Sequence, residues 1–489
     1  MELKKGKLKK LSLENLLCFF IIICPILDIS SFIFRNYFNT SLSISTIIRP
    51  IIPLVVIIYL FLKDRIKLPL IISGLIYGLY AIMHLYIFKN IVTESSYGGI
   101  VRELQYVVNY TFMILNLFIY LYVFIFRKPE KENRKDNIKK LRKSILISFT
   151  IYIALMYIAI LTGTSSYTYA EDQMGYKGWF ESGNSVGSIM LLMLFNVLPM
   201  LGKENDRKIR ILAGIDTILA GIYLSTLLGT RVGLFGFALV IVVYVVCEIL
   251  INAYHNRKLN KKIVALGVGI FVILSIIVIS FGSITISRRK LLSEREDAIY
   301  DANIGESAHV TGDLLNIVNR INKDDIDENY MSKSTKQAIL DLYNYNNNHK
   351  VSSTNMRMIQ LVYHTALVKE QKDIGLILFG NGYMTHFYEL IFEMEVPAFL
   401  YNFGIFGFVL YFIPFLIIAI YGVYVEIKNI KKINIKFAMS IISICFAIAV
   451  SFLSGYTFFN SSTATAITVI ATIMLLESID IKGEKNWKK

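Results

Sequence analysis

Long uninterrupted apolar runs are the feature that most restricts how this chain of 489 residues can fold. About twelve runs have the roughly 18 to 25 residues that a helix needs to cross a hydrocarbon core of about 30 Å. Lipid offers no hydrogen-bond partner to free backbone groups, so a spanning segment must be a helix or belong to a closed barrel. Because the runs show no alternation of apolar and polar residues, we predict an all-α polytopic membrane protein. The predicted spans are 16–34, 45–62, 68–88, 104–126, 144–161, 185–201, 209–228, 232–251, 263–281, 398–424, 437–455 and 462–477.

Lysine and arginine residues are concentrated in alternate gaps between these runs. The basic gaps are 63–67, 127–143, 203–210, 257–262 and 428–436, together with the tail 482–489. Positive residues tend to stay on the cytoplasmic side of a membrane, so both termini are predicted to be cytoplasmic. The same clusters account for the net charge of +15. We therefore expect contacts with membrane lipids and no binding of nucleic acid.

One polar segment, residues 282–396, is far longer than any other gap and is predicted to lie outside the cell. It separates a transmembrane bundle of about nine spans (1–281) from a second part of about three spans and a cytoplasmic tail (397–489). Apolar spacing predicts helices within 312–348 and 356–369, the second with Met358, Leu361 and Val362 on its apolar side. Asn344–His349 predicts a turn. A pore or an anchor would not need this large, mostly helical extracytoplasmic loop, so it favours an enzyme.

The four cysteines all lie inside apolar runs, where cysteine usually behaves as a small apolar side chain. The outer segment contains no cysteine, so no disulfide framework is predicted. The chain has neither a CxxC nor an HExxH motif, and we predict no metal and no cofactor.

Four arginines are candidates for binding an anionic substrate. Arg231 follows Gly229-Thr230 in a short outer gap, where its guanidinium could donate two hydrogen bonds to phosphate oxygens. Arg49 lies within a span, where a charge is costly and usually faces a partner or a cavity. Arg102 is near the outer start of span four, and Arg357 opens a helix of the outer segment. The alternatives are an Arg231 that extends to the membrane interface, structural ion pairs within the bundle and an ordinary surface position for Arg357.

Glu393 and His386 are candidates for a general base, because both precede the span that starts near Ala398. The alternatives are a solvated acidic edge for Glu393 and a packed or hydrated ring for His386. The nearby Gly380-Asn381-Gly382 predicts a turn with positive φ. Gly404 and Gly407 lie about one helical turn apart, which favours close packing of another helix.

Three patches, taken with the topology, resemble the bacterial O-antigen ligase and Wzy-type polysaccharide polymerase superfamily. They are Gly178-Trp179-Phe180-Glu181-Ser182-Gly183-Asn184-Ser185, Leu227-Leu228-Gly229-Thr230-Arg231-Val232-Gly233-Leu234, and Leu378-Phe379-Gly380-Asn381-Gly382-Tyr383 followed by Gly404-Ile405-Phe406-Gly407. The resemblance implies a glycosyltransferase of the bacterial cytoplasmic membrane. It adds Asn184 and Asn381 to Arg49 and Arg102 as substrate-binding candidates.

One departure from the ligase pattern bears on the activity. Ligases of this superfamily have a histidine, then Asn, Ser or Gln, then nine residues and Gly-x-x-Gly. Counting back eleven positions from Gly404 gives Glu393, so a glutamate replaces the expected histidine, and His386 is seven residues too early to substitute for it. This departure favours a polymerase, or a ligase-like relative that uses a carboxylate.

The resemblance implies that a growing glycan is transferred from undecaprenyl diphosphate to a hydroxyl of a second lipid-linked repeat unit, with inversion at the anomeric carbon. The departing diphosphate needs cations, for which Arg231 and Arg357 are the candidates, with Arg49 as deeper support. Glu393 would accept the proton of the acceptor hydroxyl. Arginines that neutralise the charge make a metal unnecessary, and a chain-length regulator is left open as a partner.

Three alternative functions are left open by the sequence. The first is ligase-like transfer of the glycan to another acceptor. The second is a flippase for lipid-linked oligosaccharides, which would not need the large outer segment. The third is a transferase that uses lipid-monophosphate sugars, but such enzymes commonly carry acidic residues in the first outer loop, and residues 35–43 contain none.

Overall fold

The computed structural model describes residues 12–40, 43–64, 67–91, 99–127, 131–170, 172–202, 204–255, 261–302, 313–328, 331–349, 356–383, 391–453, 455 and 457–482. Over these ranges the chain forms eighteen α-helices and one two-stranded hairpin. The helices are α1 (Leu13–Phe38), α2 (Ile44–Lys63), α3 (Lys67–Ile91), α4 (Gly99–Leu121), α5 (Lys131–Leu161), α6 (Gly183–Val197), α7 (Arg207–Ile222), α8 (Arg231–Tyr254), α9 (Lys261–Phe281), α10 (Ile284–Ala302), α11 (Asp313–Asn322), α12 (Lys333–Asn348), α13 (Met356–Gln371), α14 (Ile374–Phe379), α15 (Glu395–Tyr411), α16 (Ile413–Lys428), α17 (Ile435–Leu453) and α18 (Ser461–Lys482). The strands are β1 (Ser166–Tyr169) and β2 (Met174–Gly178), and π-helices at Tyr122–Phe126 and Tyr223–Leu227 extend α4 and α7.

Every predicted span coincides with a helix or with a bent pair of helices. Among the described residues ten helices are long and apolar enough to cross a membrane, and α15 with α16, bent by 45°, would count as an eleventh. Helix α9 covers the remaining predicted span, with a shorter apolar stretch at Gly267–Ile276. The predicted class, an all-α polytopic membrane protein, is confirmed.

The outer segment has a small apolar core of its own. Buried side chains from α11, α12 and α13 pack together and against Ile87 and Phe88 at the end of α3. The side chains that α11, α12 and α13 contribute are Ile317, Val318, Ile321, Ile339, Ile359 and Tyr363. This core fixes the segment onto the end of the bundle at which α3 terminates.

Two local predictions for the outer segment are wrong. The run Asn344–His349 is not a turn, since α12 continues to Asn348 and the buried Asn346 gives it a tertiary contact that outweighs the low helix propensity of asparagine. The predicted apolar side of α13 is wrong at Met358, which is exposed, although Val362 packs against the core; the buried face carries Ile359 and Tyr363 together with Gln360 and His364. Polar side chains occupy that face because they have hydrogen-bond partners there.

A break in α15 at Gly404 lets the loop Gly380-Asn381-Gly382 pair with the helix backbone. Gly404 has φ 69° and ψ −176°, so the carbonyl groups before it lose their helical partners. The carbonyl of Tyr401 accepts from the N–H of Asn381 (2.9 Å), and that of Asn402 accepts from the N–H of Gly382 (2.9 Å). Gly380 and Gly382 have φ of 87° and 70°, which confirms the predicted positive φ. A broken helix is tolerated in a membrane bundle when protein groups satisfy the freed backbone, as here.

Helix α3 packs closely against the same break. The hydroxyl of Tyr80 donates to the third freed carbonyl, that of Phe403, at 2.8 Å. A Cβ on Gly407 would collide with the Tyr80 ring and hydroxyl, so this glycine permits the close approach that its spacing predicted.

Candidate functional site

A polar cavity of about 160 Å³ opens between α1, α2, α5, α6 and the residues that lead into α18. Asp28 of α1 and Arg49 of α2 form an ion pair inside it. The same carboxylate accepts hydrogen bonds from Ser462 Oγ (3.0 Å) and from the hydroxyl of Tyr152 (2.6 Å). Further wall residues are Phe180, Glu181, Ser185, Ile189, Phe459 and Asn460. Three donors on Asp28 keep it as a fixed anchor for Arg49.

Arg49 keeps unused hydrogen-bonding capacity in this cavity. One terminal nitrogen donates to both Asp28 and Ser462, whereas the Nε is buried without a hydrogen-bond partner among the described residues. The Arg49 side chain as a whole is 18% exposed and lines the cavity, so the accessible part of its guanidinium can contact a ligand there. The geometry suits an anionic or hydroxyl-rich ligand.

The rim of the cavity carries further charges. Glu181 forms an ion pair with Arg35 at 3.4 Å, and Lys177 Nζ donates to the backbone carbonyl of Glu181 at 3.0 Å. Partial burial lowers the pKa of Lys177, and the Glu181 carboxylate opposes this shift. Lys177 belongs to β2, and the hairpin that contains it was not predicted from the sequence.

Arg357 and Glu393, the candidate cation and candidate base of the outer segment, lie together. Arg357 Nε is 3.5 Å from Glu393 Oε2, and the two side chains are 35% and 56% exposed. The backbone N–H of Glu393 donates to Oε1 of the buried Gln360 at 3.0 Å. A Cβ on Gly455 would lie 2.7 Å from the Glu393 carbonyl, so Glu393 packs directly against the segment that leads to the cavity.

Glu395 joins the outer segment to the cavity. Its side chain is fully buried and accepts three backbone N–H groups, from Thr457 (2.6 Å), Phe458 (2.9 Å) and Phe459 (2.8 Å). Phe459 lines the cavity, and Ser462 a little further along binds Asp28. Glu395, like Glu389 and Glu393, precedes the span that starts near Ala398, and the sequence left both a base and a solvated acidic edge open for all three. The position of Glu395 at the very start of an apolar run was the available signal that the carboxylate is buried.

Arg231 lies on a different side of α6 from the cavity. It is the first residue of α8, is exposed, and follows the N-cap Thr230, whose Oγ1 accepts from the Gly233 N–H at 3.1 Å. A Cβ on Gly187 of α6 would touch Thr230 Oγ1 at 3.5 Å. Gly187 and the wall residue Ser185 point to nearly opposite faces of the helix at 100° per residue. Within the described part of the chain Arg231 is not a wall residue of the cavity.

The other predicted residues occupy different settings. Asn184 lies in the first turn of α6, half-buried and next to the wall residue Ser185, whereas Arg102 is exposed on α4. Asn381 is buried, and the amide orientation that satisfies both of its ends has the nitrogen donating to the Tyr401 carbonyl (2.7 Å) and the oxygen accepting from His364 Nδ1 (3.1 Å). His386 lies outside the described residues.

A second buried acid holds the loop that contains Asn381. Glu103 Oε1 is 2.8 Å from His84 Nε2, and Glu103 Oε2 accepts from the backbone N–H of Tyr383 at 2.9 Å. His84 Nδ1 donates to the Phe379 carbonyl at 2.6 Å. Both ends of the loop are therefore fixed to α3 and α4. Glu103 follows Arg102 near the outer start of span four, but the sequence alone does not identify His84 as its partner.

Together, the fold and this site define a multi-pass helical membrane protein with a charged site at the end that carries the outer segment. Residues 10–482 match the family model described as O-antigen ligase like membrane protein, so the chain belongs to that family. Its family makes it a membrane protein that handles glycans. No curated protein and no solved structure matches the chain. Over the residues that are described, no group of three or more His, Cys, Asp or Glu is arranged to hold a metal ion.

Proposed function

We propose that the chain is a polysaccharide polymerase that transfers a growing glycan from undecaprenyl diphosphate to a lipid-linked repeat unit at the outer face of the cytoplasmic membrane. The observation that carries the proposal is the ion pair of Arg357 with Glu393 at 3.5 Å. The sequence predicted Arg357 as a cation and Glu393 as a base, and the two residues come from separate stretches of the outer segment. Family membership supports the coarser statement that the protein handles glycans.

The proposed chemistry uses the two side chains at one reacting centre. Glu393 accepts the proton of the acceptor hydroxyl while its oxygen attacks the anomeric carbon. The bond from that carbon to the diphosphate oxygen breaks, and the attack from the opposite face inverts the configuration. Because the diphosphate leaves from the face opposite the attacking oxygen, the ion pair separates when the substrates bind, and the Arg357 guanidinium then donates to the diphosphate oxygens as negative charge develops on them. Both side chains are partly exposed and therefore accessible to a substrate.

Arg49 and Arg231 have supporting roles in this proposal. Arg49 lines the cavity with a side chain that is 18% exposed, and its guanidinium would bind an oxygen of the donor there. Arg231 makes no hydrogen bond or ion pair within the described ranges, so its guanidinium is available for a second group of phosphate oxygens. Asn184, at the entry to α6, and Arg102, exposed on α4, are proposed to contact the glycan.

Ligase-like transfer to another acceptor is the second candidate, and one observation favours it. His364 stacks on Phe392, with ring centroids 4.2 Å apart, so a histidine lies beside the position at which ligases carry one. However, His364 is only 1% exposed and is therefore closed to substrate. Glu393 is the accessible group at this position, which favours the polymerase.

The test compares glycan chain length in cells that carry Arg357→Ala or Glu393→Gln, with expression of each variant checked. The matched controls are Arg320→Ala and Glu328→Gln, which remove members of exposed ion pairs elsewhere in the outer segment. A polymerase predicts that single lipid-linked repeat units accumulate on the outer leaflet in the site variants only. Full-length polymer without its final acceptor would indicate a ligase, and repeat units trapped on the inner leaflet would indicate a flippase.

A charge exchange separates chemistry from structure at this pair. The double variant Arg357→Glu with Glu393→Arg keeps an ion pair at the same place but exchanges the cation and the base. If the pair has only a structural role in the outer segment, each single exchange should lose long polymer and the double variant should restore it. The proposal predicts that the double variant stays inactive although its thermal stability is restored.

A further inference from the structure

A large apolar groove lies at the opposite end of the bundle from the proposed active site. Its volume is about 580 Å³, and it runs between the ends of α4, α16 and α18. Helix α4 starts beside the outer segment, where Glu103 binds Tyr383, so the end of α4 that forms the groove is the remote one. Apolar wall residues include Ile125, Phe126, Ile417, Ile418, Leu475 and Ile479.

The groove has a basic rim at one end. Lys428, the last residue of α16, lies there with Asn429 and Ser478. The Lys428 ammonium is exposed, and the hydroxyl of Tyr424 lies 2.9 Å from it. No carboxylate is among the wall residues, so the rim is positive and suits an anionic group.

A π-helix shapes one wall. Residues Tyr122–Phe126 form this wide turn at the end of α4, and Ile125 and Phe126 within it face the groove. Such turns are rare and occur frequently at functional sites. Phe126 and Ile417 are 61% and 60% exposed, so the groove is open along its side. In a membrane that side faces lipid hydrocarbon chains, which are narrow and flexible enough to enter between helices.

We propose that this groove binds one anionic phospholipid, with an acyl chain between the helices and the phosphate on Lys428. The basic gaps place this end in the cytoplasmic leaflet, where anionic headgroups are attracted to basic pockets between helices. The ammonium donates to the phosphate oxygens. The side chains of Asn429 and Ser478 already donate to the Val425 and Leu475 carbonyls, so Lys428 is the wall residue that selects the charge. The site is independent of the proposed transfer reaction.

Native mass spectrometry of the full chain in detergent tests the site with phosphatidylglycerol and phosphatidylcholine of identical acyl chains. The wild type should retain one phosphatidylglycerol with about a fivefold preference, the value expected from one exposed lysine beside an anionic headgroup. Lys428→Gln should abolish the preference, whereas Lys431→Gln, which removes a nearby exposed charge outside the groove, should keep it. Ile417→Trp, at a 60% exposed wall position, should lower the retention of both lipids.

Other results would overturn the proposal. Equal retention of the two lipids by the wild type would show that the groove does not select for charge. An unchanged preference in Lys428→Gln would show that the phosphate does not bind Lys428. Displacement of the lipid by inorganic phosphate would show that the rim binds free anions, and a protein retained in place of lipid would show a helix partner. Size-exclusion profiles of the variants establish that each one is folded.

Discussion

Replacing Glu395 by glutamine should weaken the connection between the outer segment and the cavity. The wild-type carboxylate accepts two N–H groups on Oε1 and one on Oε2. Glutamine keeps one oxygen, so the N–H groups of Thr457 and Phe459 retain an acceptor while Phe458 faces an amide NH₂. One unpaired buried donor costs about 1–3 kcal/mol, and loss of charge weakens the other two bonds by about 1 kcal/mol each. The expected loss is therefore about 3–5 kcal/mol.

Thermal unfolding of the purified protein in detergent measures this loss. An unfolding entropy of about 2.1 cal/mol/K per residue predicts a Tm lower by about 3–5 °C in Glu395→Gln for a chain of this length. Glu393→Gln is the matched control, because that side chain is 56% exposed and its substitution should change stability by less than about 0.5 kcal/mol. Both variants should lose long polymer, the first through a displaced cavity and the second through the missing base. A Tm for Glu395→Gln equal to that of the wild type would refute the three-bond anchor.

Three further substitutions test the contacts that hold the candidate site together. Gly404→Ala should reduce the yield of folded protein, measured by size-exclusion chromatography, because its Cβ would lie 2.5 Å from the backbone nitrogen of Gly380 and its φ is 69°. The control Gly269→Ala, which has open space around it, should not reduce the yield. Arg49→Lys should lower polymer synthesis about tenfold with little loss of protein, because an ammonium keeps the charge but not the planar fork; unchanged synthesis would exclude Arg49 from binding. Glu103→Ala removes the acceptor of the Tyr383 N–H and should cost about 1–3 kcal/mol, measured as a lower Tm and faster proteolysis at the loop that Glu103 holds.

The helices of the bundle were predictable because their apolar runs are continuous. Hydropathy identifies a span whatever it packs against, and all twelve predicted runs correspond to helical segments. The buried side of α13 was not predictable in the same way. Gln360 and His364 are buried because Glu393 and Asn381 bind them, and these partners lie far along the chain. Hydropathy assigns such polar residues to solvent.

The candidate site shows the same limit. A charge within a span predicts a partner or a cavity, and Arg49 has both. The identity of the partners does not follow from the sequence, since Ser462 is 413 positions away from Arg49. Arg357 and Glu393 were candidates from their positions in the outer segment and the resemblance implied their roles, but only the fold brings the two side chains to 3.5 Å. Long-range contacts of this kind require the three-dimensional structure.

Three buried acceptors hold the backbone around Glu393 and leave its side chain free to vary. Glu103 binds the N–H of Tyr383, Gln360 binds the N–H of Glu393 itself, and Glu395 binds the segment that follows α17. All three acceptors are at most 2% exposed, so water does not compete for them. None of these bonds uses the Glu393 carboxylate. Its substitution should therefore remove the base without lowering stability, whereas substitution of an acceptor should lower stability and displace the site although the Glu393 carboxylate is retained.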